Sequence, residues 1–359
     1  MIVATTLYWI KRVRYTLIFL TVFLLWLYLR PEPPAQIQML QGQTMGTTYQ
    51  ILVVEFPESI SGNELAAGIE QRLQRLDREL MSTYAPESEL SRFNRSEPGQ
   101  WFAVSPELAF VLDRAIYYSE LTNGYFDVTV GPLVNRWGFG PVVGQRVDQS
   151  RIPSDDEIRQ LQQQIGYQHL QVSLEPPQVR KSQQVYVDLS GIAKGYAVDV
   201  LADYFDSLAM PAYFIEVGGE LRIKGRKPDG SGWVPAIEKP VDSPTPEVHQ
   251  IFYSQGEALA VAGSGDYRNY FEQDGVRYSH EIDPFTGRPV AHTLAAVTVI
   301  SQSAIEADAL ATAFMVMGEE KSFALAQQLD LAAYFISKQA GDDGFGERYT
   351  PRFAGYLEE

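Results

Sequence analysis

The sequence predicts an α+β fold, in which blocks of helix and blocks of strand follow one another without regular alternation. Apolar residues recur at helical spacing over residues 63–80, 105–119 and 303–329. Glycine-punctuated, strand-like patterns dominate residues 170–190 and 213–300. The chain of 359 residues is 45% hydrophobic and 21% charged, which fits one large globular domain or two smaller ones with full cores.

The first elements of the body are marked by turn and cap residues. Residues 40–54 predict a turn beginning at Met45 followed by a strand. Ser105 suits a helix N-cap because Pro106 follows it in the first turn. After an Asn-Gly turn, residues 126–130 predict another strand.

Later elements carry similar signals. Residues 154–165 predict a short helix, and Gly218 with Gly219 predicts a hairpin turn. Ser303 and Glu306 form a capping-box pattern, which predicts a helix that runs to about Met317.

The N-terminal 30 residues predict a membrane anchor or a signal segment. They hold Lys11, Arg12, Arg14 and Arg30 without any acid, and residues 15–29 are all apolar or threonine. This run is short for a spanning helix of ~20 residues, yet no clear signal-peptidase site follows it. An uncleaved anchor is therefore favoured over a cleaved signal, and in either case the body is exported.

A Pro-rich spacer over residues 31–39 separates this segment from a body over residues 40–359. The chain has a net charge of −16, and setting aside four N-terminal cations leaves 25 basic against 45 acidic residues in the body. The negative electrostatic potential of so acidic a body excludes nucleic-acid binding driven by overall charge. Any phosphate site must therefore be built locally from backbone dipoles, a metal or a few cations. The absence of cysteine excludes disulfides, thiolate nucleophiles, zinc–thiolate sites and iron–sulfur clusters.

The most informative stretch surrounds Asp188. A β-rich run over residues 185–187 ends in this acid, a small-residue turn follows, and a helical pattern then begins. Such a turn aims backbone N–H groups and the positive end of a helix at one point, which suits a phosphate, and Lys194 adds a full charge. The alternative is an ordinary strand–helix turn that ends in an acid. The segment is not a P-loop, because the residue order Gly-x-x-x-x-Gly-Lys-Ser/Thr is missing.

Two further constellations could carry chemistry. Asp308 and Thr312 lie four apart on a predicted buried helix, where they would offer hard ligands to Mg²⁺ or Ca²⁺. The alternative is a solvated Asp and a Thr that bonds to its own helix. His280 precedes a tight turn containing Asp283, and it is one of only four histidines in the chain, although a lone histidine is more often structural. Tyr84, Tyr125 and Phe126 lie beside turns, where they would either stack on a planar ligand or fill the core.

Taken in order, these segments resemble the FAD:protein FMN transferases, the ApbE flavin transferase family, from about residue 40 to the C-terminus. The motifs that carry the resemblance are Met45-Gly-Thr-Thr-Tyr49, Ser82-Thr-Tyr-x-x-x-Ser88-Glu-Leu-Ser91, Gly124-Tyr-Phe-Asp-Val-Thr-Val-Gly-Pro132, Asp188-Leu-Ser-Gly-Ile-Ala-Lys-Gly195, Val217-Gly-Gly, Ser264-Gly-Asp-Tyr, His280-x-Ile-Asp-Pro-x-Thr-Gly287 and Ala307-Asp-Ala-Leu-Ala-Thr-Ala313.

The resemblance implies a two-part α+β fold with FAD bound between the parts. It also implies Mg²⁺-dependent transfer of FMN from FAD to a Thr or Ser hydroxyl of an acceptor protein, with release of AMP. Acceptors in this family are subunits of membrane redox complexes, such as sodium-pumping NADH:quinone oxidoreductases. Two alternatives stay open: an FAD pyrophosphatase that yields FMN and AMP, and a non-catalytic, membrane-anchored flavin-binding protein.

Matching motifs assign the expected roles. His280 is the expected catalytic histidine, with Asp283 beside it. Mg²⁺ would bind Asp308, Thr312 and the backbone carbonyl region of Ala193. The expected FAD contacts are Met45, Tyr84, Tyr125, Phe126, Asp127, Asp188 and Lys194.

Two departures from the family pattern stand out. Glu220 occupies a position at which the family usually has Asp. Many relatives carry a lipid anchor on an N-terminal Cys, which this chain lacks, and the segment over residues 15–29 would take its place. The expected location is the bacterial inner membrane, with the catalytic domain on the periplasmic face.

Overall fold

A computed structural model describes residues 14–26, 36–57, 60–140, 152–243, 245–339 and 344–358. The chain divides into two units, Met1–Gln36 and Ile37–Glu359.

The described part of the first unit is a helix over residues 14–26, here α1, whose side chains are all exposed. Most of those side chains are apolar, with Phe19 and Phe23 stacked on each other. No helix among the described residues is both long and apolar enough to cross a membrane. Residues 27–35, which include most of the predicted spacer, lie outside the described part of the chain.

An eight-stranded antiparallel sheet forms the centre of the second unit. Its strands, in spatial order, are β1 (Gln38–Thr44), β2 (Thr47–Val53), β6 (Tyr213–Val217), β7 (Glu220–Lys224), β10 (Leu259–Gly265), β15 (Leu294–Ser301), β16 (Ala332–Lys338) and β17 (Phe345–Tyr349). Four small sheets complete the strand set: β3 (Phe102–Ala103) with β4 (Leu170–Leu174) and β5 (Pro177–Lys181), β8 (Ala236–Glu238) with β9 (Val248–Ile251), β11 (Tyr270–Gln273) with β12 (Val276–Ser279), and β13 (Ile282–Asp283) with β14 (Arg288–Pro289).

Helices pack against this sheet, and two of them pack on its central strands. The helices of the second unit are α2 (Gly62–Gln74), α3 (Glu89–Arg95), α4 (Pro106–Leu121), α5 (Gly131–Arg136), α6 (Asp155–Gln162), α7 (Ala193–Ser207), α8 (Ala304–Met317), α9 (Glu319–Gln328) and α10 (Pro351–Ala354). A π-helix, Arg75–Met81, continues α2. Helix α7 packs on β6 and β7, α8 packs on β10 and β15, and the two helices pack on each other. Almost every residue of α8 is buried, as expected for a helix that is apolar on all sides.

A second, smaller core stands apart from the main one. Leu133, Trp137, Ile158 and Ile282 form it, so that it joins α5 and α6 to the β13–β14 hairpin. The Trp137 indole N–H donates to the carbonyl of Gly287 at 2.9 Å. The segment that begins at His280 is therefore anchored to this second core. The mixed helix-and-strand architecture predicted from the sequence is confirmed.

Two predicted strands are wrong, and in each case a polar side chain replaces the sheet partner. Residues 126–130 form an irregular loop, in which the Asp127 carboxylate accepts from the N–H and hydroxyl of Thr129 and from the N–H of Tyr167. Residues 185–187 carry no regular secondary structure and belong to no sheet. The Asn94 side chain donates to the carbonyl of Val187 and accepts from its N–H, both at 2.8 Å.

The predicted capping box at the start of α8 is also wrong. Ser303 is the N-cap residue, but its side chain makes no capping hydrogen bond. The Asp199 carboxylate of α7 instead accepts from the N–H groups of Ala304 and Ile305, both at 2.9 Å. Glu306 accepts a hydrogen bond from the hydroxyl of Ser301. A cap from another helix ties α7 to α8.

The Asn94 clamp yields a prediction. Asn94→Ala leaves the buried N–H and carbonyl of Val187 without partners, which should lower the free energy of unfolding by about 3 kcal/mol. Urea unfolding measures this change. The control is Asn63→Ala on the exposed surface of α2, which should change stability by less than about 0.5 kcal/mol. Equal stability of both variants would show that the segment before Asp188 is held by other contacts.

Candidate functional site

The candidate site is built where α7 begins and α8 passes it. A Cβ atom on Gly195 would lie 2.2 Å from the carbonyl oxygen of Ala304 and 2.7 Å from Cβ of Asp308. Only glycine permits so close an approach of the two helices. The Gly195 N–H donates to Oδ2 of Asp308 at 2.9 Å, which fixes the carboxylate at the start of α7.

A buried cluster of charges follows from this contact. Lys194 is paired with Glu220, the first residue of β7, and its Nζ atom is 4.0 Å from Oδ1 of Asp308. Burial raises the pKa of Glu220 and of Asp308, whereas Lys194 acts in the opposite direction on both. Oε2 of Glu220 is buried and has no hydrogen-bond partner in the described part of the chain.

Lys194 stays charged in this cluster. Burial alone would lower the pKa of Lys194, but the carboxylates of Asp308, Glu220 and Glu281 together raise it above the ordinary value. Three acids thus act on one cation, and burial raises the pKa of Glu220 to about 8, so the number of negative charges in the cluster changes with pH near neutrality. When all three acids are ionised they outnumber the lysine, and a further cation would offset the remaining negative charge.

Oxygen donors suited to a hard divalent cation lie at the same place. Asp308 and Thr312 are one turn apart on α8, as predicted, and Asp308 is buried. A Cβ atom on Gly191 would lie 3.1 Å from the hydroxyl oxygen of Thr312, so this glycine of the turn before α7 packs directly on Thr312. Ala193, the predicted carbonyl ligand, is the first residue of α7 and donates its N–H to Leu189. Gly191 lies against Thr312, and the role of the Ala193 carbonyl as a metal ligand stays a prediction.

This donor set fits Mg²⁺ in kind. Carboxylate, hydroxyl and carbonyl oxygens are the ligands that Mg²⁺ prefers. No group of three or more His, Cys, Asp or Glu side chains among the described residues could hold a metal. A cation here would therefore rely on Thr312, on backbone carbonyls and on ligand oxygens as well as on Asp308.

The turn before α7 brings Asp188 towards two predicted aromatic contacts. Oδ1 of Asp188 accepts from the N–H of Ser190 at 2.8 Å, and its own N–H donates to the carbonyl of Val128 at 2.8 Å. Partial burial, and after it the charge of Asp188, raise the pKa of Tyr84, so the two groups lie within electrostatic reach of each other. Phe126 lies beside Gly191, since a Cβ atom there would be 3.4 Å from its ring.

Met45 lies in a tight turn near the lysine. The backbone φ of Met45 is 47°, a left-handed conformation that is disfavoured for residues other than glycine. The next residue, Gly46, has a φ of 73°. Thr47 packs on Gly218 of the β6–β7 turn, which in turn packs on the Lys194 side chain. Met45 also lines a cleft of about 490 Å³ between this turn and residues 70–78.

Tyr125 and Asp127 have different roles in their loop. The Tyr125 ring packs edge-on against Phe285, with centroids 4.9 Å apart, and its hydroxyl contacts the Lys321 ammonium. Both carboxylate oxygens of Asp127 accept hydrogen bonds from within the protein. Asp127 therefore shapes the loop that presents Tyr125, rather than leaving its side chain free for a ligand.

His280 is oriented as a base. Its Nδ1 atom is 3.0 Å from the carbonyl oxygen of Asn269, which can only accept, so Nδ1 carries the hydrogen in the neutral ring. Nε2 then holds the lone pair, and the side chain is 33% exposed, so that a substrate can reach it. Oε1 of Glu281 is 3.7 Å from Nε2. Sequence reasoning missed Glu281, although an acid next to a candidate histidine was a visible signal.

Asp283, the predicted partner of His280, serves its own turn. Its carboxylate accepts from the N–H of Phe285 at 2.8 Å, and its carbonyl accepts from the N–H of Gly287 at 2.8 Å. The acid close to the histidine is Glu281. Asp283 instead shapes the loop that presents Phe285 to Tyr125.

The structure thus brings most of the predicted residues into linked groups. Lys194 and Asp308 form one group, in which Thr312 lies one turn beyond Asp308 on α8, and Phe126 adjoins Thr312 through Gly191. Tyr84 and Asp188 are linked electrostatically in the same turn region. Glu281 connects His280 to Lys194 electrostatically.

Comparisons with known proteins agree with this picture. The model of the ApbE family matches residues 45–335. A Vibrio cholerae relative named FAD:protein FMN transferase is 45% identical over 330 residues, which cover 91% of this chain and 95% of the relative. An Escherichia coli K12 relative of the same name is 37% identical over 335 residues, 91% of this chain and 92% of the relative.

Solved structures show the same similarity. The flavin transferase ApbE from Vibrio cholerae superimposes with a TM-score of 0.81 at 42% identity, covering 90% of this chain and 100% of that one. The apo form of the Pseudomonas stutzeri flavinyl transferase ApbE gives a TM-score of 0.80 at 37% identity, covering 91% and 98%.

The charge cluster predicts that replacing Lys194 changes stability by an amount that depends on pH. Lys194→Met leaves Glu220 and Asp308 buried without their cation and should lower the free energy of unfolding by about 3 kcal/mol at pH 8. Burial raises both pKa values above their unfolded values, so protonation at pH 5 stabilises the folded variant and reduces this loss. Urea unfolding in EDTA at both pH values measures the difference.

The matched control is Lys224→Met. Lys224 forms an exposed ion pair with Asp206 at 2.9 Å, so its replacement should cost less than about 1 kcal/mol at either pH. A loss of equal size at pH 5 and pH 8 for Lys194→Met would contradict the cluster as described.

Proposed function

We propose that this chain, which belongs to the ApbE family and is a flavin transferase, moves FMN from FAD to a Thr or Ser hydroxyl of an acceptor protein, with Mg²⁺ bound and AMP released. The observation that carries the proposal is the link between a buried lysine–carboxylate cluster and an oriented histidine. Phosphoryl transfer needs charge neutralised on the diphosphate and a proton removed from the attacking hydroxyl. Lys194 meets the first need and His280 the second.

The reaction conserves atoms and electrons as follows. The hydroxyl oxygen of the acceptor forms a bond to the FMN phosphorus atom of FAD. The anhydride bond to the adenylate phosphate breaks, and its electron pair leaves with AMP. The hydroxyl proton passes to Nε2 of His280, which is free to take it because Nδ1–H is held by Asn269.

The residues around the lysine would bind the diphosphate. The N–H groups at the start of α7 and the Lys194 ammonium favour anionic oxygens at this point. Asp308, Thr312 and a carbonyl of the turn over residues 191–193 would hold Mg²⁺, which supplies further neutralisation of phosphate charge when bound. Glu220 positions the lysine through their ion pair.

The remaining predicted residues would bind the rest of FAD. Tyr125 and Tyr84 expose aromatic surface, and Phe126 is buried next to the glycine turn. Met45 would contact FAD from the strained turn beside Thr47. Asp188 would act on the same side as Tyr84, and Asp127 would contribute through the loop that it shapes.

The test uses the full-length chain with FAD, Mg²⁺ and an acceptor domain that carries a Thr in a flavinylation-type sequence. We expect the acceptor to gain the mass of one FMN, with one AMP released per FMN transferred, and EDTA to stop both. His280→Ala and Asp308→Asn should each lower the transfer rate by about 100-fold or more, as expected for loss of a base or of a metal ligand. Mass spectrometry and nucleotide chromatography provide the readouts.

The control is Asp113→Asn, which changes an acid on α4 that is paired with Arg114. It should leave the rate unchanged. Free FMN and AMP with an unmodified acceptor would instead assign FAD hydrolysis, and FAD left intact with several acceptors would reduce the protein to a flavin binder. Full activity of both site variants would overturn the site assignment.

We also propose that α1 belongs to a membrane anchor at the bacterial inner membrane and places the catalytic domain on the periplasmic face. The support is its exposed apolar surface, which includes Leu20, Phe23 and Trp26 at more than 40% exposure each. Such a location would suit an acceptor that is a subunit of a membrane redox complex.

A flotation assay tests the anchor. The full-length chain should float with phospholipid vesicles, whereas the double variant Leu20→Glu and Phe23→Glu should stay at the bottom of the gradient. Each charge in the apolar segment opposes insertion by about 2.5–3.5 kcal/mol. Replacement of the exposed Met39 in the second unit by Glu is the control and should leave flotation unchanged. Flotation of the double variant would contradict an anchor in this segment.

A further inference from the structure

We infer that Glu281 is a positioning residue for the transfer reaction, which acts through His280: its buried carboxylate faces the ring and stabilises the imidazolium that forms when the acceptor loses its proton. This inference rests on the proposed function. It concerns a residue that lies between the catalytic base and the phosphate-binding lysine.

Glu281 is held in one place. Its side chain is 8% exposed, and Oε1 accepts from the hydroxyl of Ser264 at 2.7 Å. Its N–H donates to the hydroxyl of Ser279, and its carbonyl accepts from the N–H of Val290. A carboxylate fixed in this way needs little reorganisation when a charge appears nearby.

The same oxygen faces the base. Oε1 of Glu281 is 3.7 Å from Nε2 of His280, which is close enough for strong attraction to an imidazolium. It is too far for a direct hydrogen bond, so the lone pair of the neutral ring stays available to the acceptor hydroxyl. Asn269 holds Nδ1 from the opposite side of the ring.

Glu281 also acts on the lysine. Its charge contributes to the raised pKa of Lys194, which places the carboxylate within electrostatic reach of the phosphate-binding group. After proton transfer, the Glu281 carboxylate would attract both the imidazolium of His280 and the ammonium of Lys194.

Two variants separate the charge of Glu281 from its anchoring contact. Glu281→Gln removes the charge but keeps an oxygen that can accept from Ser264. Ser264→Ala removes the anchor but keeps the charge. Glu272→Gln is the matched control, because that acid lies on the neighbouring β11 strand and is 63% exposed.

For Glu281→Gln we expect kcat of transfer to fall by about 10- to 100-fold, the range expected when a general base loses its stabilising charge. KM for the acceptor and Kd for FAD should each change by less than about 3-fold, because Glu281 is not proposed to bind substrate. Glu281→Asp should recover part of the lost kcat. Ser264→Ala should have a smaller effect than Glu281→Gln, and Glu272→Gln should have none.

The outcomes are distinguishable. If the wild-type chain transfers FMN and Glu281→Gln does so at an unchanged kcat, the inference fails while the proposed function stands. If Glu281→Gln loses FAD affinity instead of kcat, Glu281 acts on Lys194 alone and the inference again fails. If the wild-type chain transfers nothing to any acceptor, the proposed function itself fails. Urea unfolding of each variant confirms that a lost rate is not lost folding.

Discussion

The contact between α7 and α8 at Gly195 is the constraint on which the rest of the site depends. Backbone atoms of one helix meet the carbonyl of Ala304 and the side chain of Asp308 on the other, with no room for a Cβ atom. The Asp199 carboxylate then caps α8 from within α7, so the two helices are joined by packing and by hydrogen bonds. Lys194 and Asp308 are neighbours because of this helix packing, and their separation does not depend on a flexible loop.

Burial of the cluster around Lys194 makes ionisation of its acids unfavourable, and this property is relevant to binding of a diphosphate. Lys194 is one cation among three acids, and burial raises the pKa of Glu220 to about 8 and that of Asp308 above its ordinary value, so ionising all three acids is unfavourable without a further cation. An FAD diphosphate would add further negative charge to the same place. In the proposed reaction a divalent cation would offset both sets of negative charge, and metal and diphosphate would then bind more tightly together than either does alone. Oε2 of Glu220 is buried without a hydrogen-bond partner among the described residues, so a bound cation or ligand could interact with it.

Sequence reasoning reached the parts of the site that depend on local spacing. Asp308 and Thr312 share a helix face whatever the tertiary fold, and the turn before Lys194 has a local signature, so both could be foreseen. The Asn94 clamp and the Asp199 cap could not be foreseen, because each joins segments far apart in the chain. The same physics explains the wrong strand over residues 126–130, where Asp127 bonds to its own loop and to Tyr167. Asp283 was assigned beside His280 by its motif, whereas burial and distance single out Glu281.

The two cores divide the work of the site. The main core fixes Lys194 and Asp308 through helix packing, while the second core holds the segment from His280 to Gly287 through the Trp137 hydrogen bond. Neither core alone presents both the lysine and the histidine to which the proposed reaction assigns the binding of phosphate and the removal of a proton. Ser264 lies at the end of β10 in the main sheet, and its hydrogen bond to Glu281 joins the two sets of residues. The residues of such a site are distributed through the sequence in short motifs. Their side chains come together only when both cores have formed.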